Sequence, residues 1–173
     1  MKDVAADLQV CSVTGMPRAF RRSPRLAEYD YRGPLNAFLT FVTRGRRPIF
    51  EDATLAQIAL DHLNATAAKF EAEVLSYCIM PDHMHLLVFI DERASMKEFV
   101  RRFKQTSGFA LKKELGVEAW QISYYDRVLR KEEAAEDVAL YIWNNPVVTG
   151  TVDAIQDYGV DLGSVCLDGT WQT

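Results

Sequence analysis

The chain has 173 residues, 49% of them hydrophobic and 25% charged, a globular balance with length enough for one domain and a sizeable core. No apolar stretch is long enough to span a bilayer and the start lacks a basic-then-apolar leader, which argues against a membrane partner and for a cytoplasmic place. The net charge of −4 would by itself argue against a nucleic-acid partner, but the charges are segregated. Arg18, Arg21, Arg22, Arg25, Arg32, Arg44, Arg46 and Arg47 stand against only Glu28 and Asp30 over residues 18–47, while the stretch after Gly150 has no Lys or Arg. Phosphate binding needs a local basic surface, not a basic total; a solvated face is the plainer reading of the same charges. Cys11, Cys78 and Cys166 are odd in number and scattered, which suits a reducing compartment and a packed Cys78.

In chain order, residues 1–35 read as an irregular basic arm broken by Pro17, Pro24, Gly33 and Pro34. Residues 36–150 read as the folded domain and 151–173 as an acidic tail. Asn36–Thr43, rich in aromatic and β-branched residues, predicts the first strand. Arg44-Gly45-Arg46-Arg47-Pro48 is a positively charged turn. A helix is predicted over 53–70, with Asp52 as its N-cap and Leu55, Ile58, Ala59, Leu63 and Ala67 on one face. Val74–Met80 and His83–Ile90 form a hairpin about a Pro81-Asp82 turn.

A second helix is predicted over 95–115, opened by a Ser95/Glu98 capping box and stopped by Gly116. Its basic residues Arg101, Arg102 and Lys104 join Arg44, Arg46 and Arg47 as candidate DNA-phosphate contacts. Trp120–Arg130 reads as extended. A third helix is predicted from Glu132 to Asn145, with acidic residues in its first turn and Pro146 ending it. The order is β-α-β-β-α-β with one helix added: an α+β, ferredoxin-like antiparallel sheet with an extra C-terminal helix carrying a tyrosine.

Side chains alternate along a strand, so His83 and His85 point the same way, a ready pair of divalent-metal ligands. Tyr141 and Asn145 are four apart and project from one side of the third helix. If that helix lies over the His pair, a phenol, an amide oxygen and two imidazoles converge, a set suited to phosphoryl transfer: Tyr141 attacks, and His83, His85 and Asn145 hold Mg²⁺ or Mn²⁺. Each residue also has a bland reading, as a polar group at a strand mouth or as a packed tyrosine. Tyr124 and Tyr125 lie in the aromatic extended segment and Tyr158 in the acidic tail, where packing or solvation is the natural role.

Met80-Pro81-Asp82-His83-Met84-His85-Leu86-Leu87-Val88 resembles the His-hydrophobic-His motif of the IS200-like single-tyrosine transposases. Trp120-Gln121, then Tyr125-Asp126-Arg127-Val128-Leu129-Arg130 and Tyr141-Ile142-Trp143-Asn144-Asn145-Pro146-Val147, is similar to the REP-associated tyrosine transposase branch. The resemblance covers roughly residues 36–150. It implies cleavage and rejoining of single-stranded, hairpin-bearing DNA through a covalent 5′-phosphotyrosine on Tyr141. It also implies a divalent ion on His83, His85 and Asn145, and either a monomer or a homodimer. Val148-Thr149 departs from the basic or histidine residues usual after Asn-Pro-Val, and the tail lacks the family's Trp-Pro-rich segment. Two other readings stay open: a DNA-binding protein that no longer mobilises DNA, and a metal-dependent hydrolase using water with Tyr141 structural.

Overall fold

The computed structural model describes residues 34–129 and 135–150. The arginines of the N-terminal arm, the acidic tail with Tyr158, and Glu132 and Glu133 lie outside the described residues. Among the described residues, four strands and three longer helices follow in the order β1 (Leu35–Val42), α1 (Ala53–Phe70), β2 (Glu73–Met80), β3 (His83–Ile90), α2 (Met96–Leu115), β4 (Tyr125–Val128) and α3 (Ala135–Val148). The sheet order is β2-β3-β1-β4 and every pairing is antiparallel, the ferredoxin-like arrangement expected from the element order.

Alternation along the strands divides the interior in two. Leu35, Ala37, Leu39 and Phe41 of β1 and Met84, Leu86, Val88 and Ile90 of β3 face α1 and α2. Phe38 of β1, Cys78 and Met80 of β2 and Leu87 of β3 face the other way, against Val138, Ala139 and Ile142 of α3. A register shift between Val74 and Ser76 lets β2 keep Val74 and Tyr77 on the α1/α2 side although they are three apart. The sheet is thus covered on both faces, and only the α3 face carries the imidazoles.

Helix α1 keeps its predicted bounds because its cap is made: Asp52 accepts from the Thr54 amide at 2.8 Å. Two expectations about helix ends are corrected. Ser95 is the N-cap of α2 by position but makes no side-chain cap bond; Glu98 instead pairs with Arg101, so no capping box forms. Pro146 does not end α3, which runs on to Val148. The amide and hydroxyl of Thr149 both bond the Asn145 carbonyl, and Asn145 and Pro146 are buried, so packing holds the turn that local preference disfavours.

The Pro81-Asp82 turn is held from outside the hairpin. Neither residue has positive φ, so this two-residue connection lacks the mirror-image geometry that best matches strand twist. The carbonyl of Asp82 accepts from both the amide and the hydroxyl of Thr43, and that of Pro81 from the Phe50 amide. The segment after β1 is thereby clamped to the β2–β3 turn, beside the first histidine.

Candidate active site

Register sets the site. Thr40 of β1 lies opposite His85 of β3, which in turn lies opposite Cys78 of β2; Val42 and Met80 flank His83 one step on. On the edge strand β4, Tyr125 lies opposite Thr40 and Arg127 opposite Phe38. These residues share the α3 face.

The imidazoles meet as the strand alternation predicts. His83 Nε2 and His85 Nε2 are 3.1 Å apart, with the rings nearly perpendicular at 82°. Each opposite ring nitrogen has a partner: His85 Nδ1 lies 2.9 Å from Thr40 Oγ1, and His83 Nδ1 lies 2.5 Å from Asp82 Oδ1. Burial, then the neighbouring His83, holds the His85 imidazole well below its usual range. Burial also lowers His83, against the opposing pull of Asp82. Both rings are therefore neutral near pH 7, the state in which imidazole is a metal ligand.

The donor set fits a divalent ion. Two nitrogens about 2.0–2.1 Å from one ion sit roughly 2.9–3.4 Å apart on adjacent vertices of an octahedron or tetrahedron, and the observed 3.1 Å falls in that span. Partners at the far nitrogens are the usual means of fixing ring orientation at metal sites. Among the described residues no group of three or more His, Cys, Asp or Glu is placed to hold a metal ion, so further ligands would come from Asn145, water or substrate oxygen. Burial pushes the Cys78 thiol up to about 12, so it packs beside His85 as an apolar group.

Tyr141 of α3 arrives at the same place. Its ring centroid is 6.4 Å from that of His85 and 6.2 Å from that of Phe38. Phe38, fully buried, stacks on His85 at 5.5 Å and meets Tyr125 edge-on at 6.1 Å. Asn145, one turn on from Tyr141, is buried, and its amide nitrogen donates to the Tyr141 carbonyl at 2.9 Å. That leaves its amide oxygen as the atom to offer a ligand. A ring contact between α3 and the imidazoles runs through Tyr141. Tyr124 packs instead on Phe41, on the α1/α2 side.

The candidate DNA contacts do not behave alike. Arg46 Nη1 pairs with Asp82 Oδ2 at 2.9 Å. Arg47 bonds the carbonyls of Arg44 and Glu118, and Arg101 pairs with Glu98. The Lys104 ammonium is held by the Gln121 and Ile122 carbonyls at 2.6 and 2.7 Å and lies over the Tyr124 ring. Arg44 is exposed and Arg102 half-buried. Arg44, Arg46 and Arg47 sit at the His83 end of the sheet, because the turn that carries them is clamped to Asp82.

Asp82, Thr40 and Phe38 were not among the expected site residues. Asp82 looks like a turn former from its neighbours. Thr40 leaves one signal, a polar residue in an apolar strand, but its partner emerges only with the register. No helix among the described residues is long and apolar enough to cross a membrane.

The family described as "Transposase IS200 like" matches residues 34–145. A Haemophilus influenzae protein of uncharacterized function is 25% identical over 160 residues, 74% of this chain and 89% of its own. Another Haemophilus influenzae protein, provisionally described as a REP-associated tyrosine transposase, is 28% identical over 105 residues, 54% of this chain and 60% of its own. Among solved structures, a REP-associated tyrosine transposase bound to a REP hairpin is similar with a TM-score of 0.64 at 20% identity, over 75% of this chain and 77% of the other. A Deinococcus radiodurans protein provisionally described as a transposase gives 0.50 at 23% identity, over 71% and 96%. The two structural likenesses establish the shared fold.

Proposed function

Since the chain belongs to the IS200-like transposase family, whose enzymes cleave and rejoin DNA, we propose that it acts on single-stranded DNA at hairpin-bearing sites through a covalent 5′-phosphotyrosine on Tyr141. The observation that carries this reading is the meeting of Tyr141 with the His83–His85 pair across Phe38. The hairpin form of the substrate is suggested by the structural relative bound to a REP hairpin.

In the proposed step the Tyr141 oxygen bonds to the scissile phosphorus, and the bond from phosphorus to the 3′ oxygen breaks in line with it. The phenol loses its proton and the departing 3′ oxygen gains one. Attack by a 3′ hydroxyl on the phosphotyrosine reverses the exchange and rejoins the strand. One phosphate diester replaces another throughout, so rejoining needs no nucleotide cofactor.

The family generally uses a divalent metal, and here His83, His85 and the amide oxygen of Asn145 would hold it. Bound there, a divalent ion supplies Lewis-acid polarisation of the scissile phosphate. His83 and His85 serve by remaining neutral and by presenting both Nε2 atoms to one point. Phe38 props Tyr141 and His85 against each other. Arg44 and Arg102 are the candidate phosphate contacts with the least visible commitment inside the chain, and they would steer the strand electrostatically.

Incubation with labelled hairpins bearing single-stranded flanks, followed by denaturing electrophoresis, tests the reading. A protein–DNA adduct that maps to the Tyr141 peptide is expected. Hairpin binding without an adduct would favour a binding protein, and cleavage without an adduct would favour a hydrolase that uses water.

A further inference from the structure

We propose that Asp82 is the positioning residue that makes His83 a preset metal ligand, that Arg46 is its anchor, and that His85 is a switchable ligand whose tautomer follows the Thr40 hydroxyl. This rests on the reading that the His pair holds a divalent cation.

A neutral imidazole carries one N–H and one lone pair, and a cation takes the lone pair. His83 and His85 would each hold a cation through Nε2, and both rings would then carry their protons on Nδ1. Asp82, an ionised carboxylate, can only accept, so His83 donates from Nδ1 and its Nε2 keeps a lone pair at all times. Thr40 differs, because a hydroxyl can donate or accept. In the free site the 3.1 Å contact between the Nε2 atoms needs one proton, and His83 cannot supply it. His85 supplies it from Nε2, and its Nδ1 then accepts from the Thr40 hydroxyl at 2.9 Å. With a cation held there, His85 would carry its proton on Nδ1 and the Thr40 hydroxyl would accept from it. The ring stays neutral throughout.

Arg46 is built into this arrangement. Its guanidinium bonds Oδ2 of Asp82 while His83 bonds Oδ1, which fixes the carboxylate from both sides. Its backbone sits at φ 52, a left-handed conformation that is costly for a non-glycine residue. A surface charge meant only for phosphate has no need of that cost, whereas reaching Asp82 from a turn led by Gly45, at φ 68, does. Thr43 holds the Asp82 main chain in the same clamp.

Long-range ¹H–¹⁵N spectra of chelated protein read the tautomers directly. His83 is expected as the Nδ1–H form and His85 as the Nε2–H form, with both as Nδ1–H in saturating Mg²⁺; an Nε2–H His83 would overturn the assignment. Mn²⁺ binding followed by electron paramagnetic resonance gives the second measurement. Asp82→Asn should weaken Mn²⁺ by about 10–100-fold, and Asp82→Glu should recover part of the loss. Arg46→Gln should weaken Mn²⁺ while leaving hairpin affinity in chelator unchanged; the opposite pattern would make Arg46 a phosphate contact and overturn its role as anchor. If the parent protein fails to bind Mn²⁺, the metal reading falls and this one with it. If the parent and Asp82→Asn bind equally, only this one falls.

Discussion

Phe38→Leu is the sharpest probe of how the two halves of the site are held together. Phe38 is fully buried and its ring meets three others: His85 stacked at 5.5 Å, and Tyr125 and Tyr141 edge-on at 6.1 and 6.2 Å. Truncation to alanine would open a cavity beneath α3 and cost about 3–5 kcal/mol, enough to threaten a domain whose total stability is about 5–15 kcal/mol. Leucine keeps most of the apolar volume and removes the ring contacts, each worth roughly 0.5–1.5 kcal/mol beyond area. Leucine still fills part of that space, so the expected net loss is about 2 kcal/mol. Urea melts at unchanged slope would read it as a lower midpoint. His85 keeps its Thr40 bond, so Mn²⁺ affinity should stay within a few-fold of the parent. Tyr141 loses its prop, so single-turnover adduct formation should slow by about tenfold or more, since small misplacements of a reacting group are costly. A variant that melts within about 0.5 kcal/mol of the parent and forms adduct at the parental rate would show that Phe38 props nothing.

Tyr141→Phe should bind hairpins normally and form no adduct, while Tyr125→Phe, on the same face, should form it; the reverse pattern in peptide maps would move the nucleophile to Tyr125. In chelator, the depressed His83 and His85 make the folded state bind fewer protons than the unfolded one. Their contribution is whole above pH 6.5 and is lost as pH falls below it toward the folded values, by at most about 1.4 kcal/mol per pH unit per ring. A urea midpoint that stays flat below pH 6.5 would contradict this. Lys104→Met should speed amide exchange across residues 117–124, because two carbonyls lose their donor. Arg44→Ala and Arg102→Ala should each reduce the salt slope of hairpin binding by about 0.7, and an affinity independent of salt would remove both from the interface.

Much of the fold was legible because local rules and tertiary structure agree. Asp52 caps α1 as its type suggests, and the alternation in His83–Ile90 assigns each side chain to a face before any partner is known. Pro146 breaks that agreement, since buried neighbours outweigh a local preference that sequence can register only as a stop. Within the candidate site, the shared face of His83 and His85 was readable from strand alternation, whereas Tyr141 was singled out by the family resemblance and not by spacing alone. Asp82 and Thr40 were not, because their roles depend on contacts between elements. Arg46 reaches Asp82 across 36 positions and Thr40 reaches His85 across 45. The basic residues show the same limit. Sequence counts their charges, but only the folded chain reveals that Arg46, Arg101 and Lys104 answer first to groups of their own protein.

The seating of α3 over its own sheet has a genetic consequence. Tyr141 meets the His85 of the same molecule, so under the proposed mechanism each chain would supply its own tyrosine and imidazole pair. Two crippled alleles, one encoding Tyr141→Phe and the other His85→Ala, therefore have nothing to lend each other. Co-expressed or mixed in a tube, they should stay as inactive as either alone, whereas proteins that trade their tyrosine helices between partners would regain a fraction of working sites.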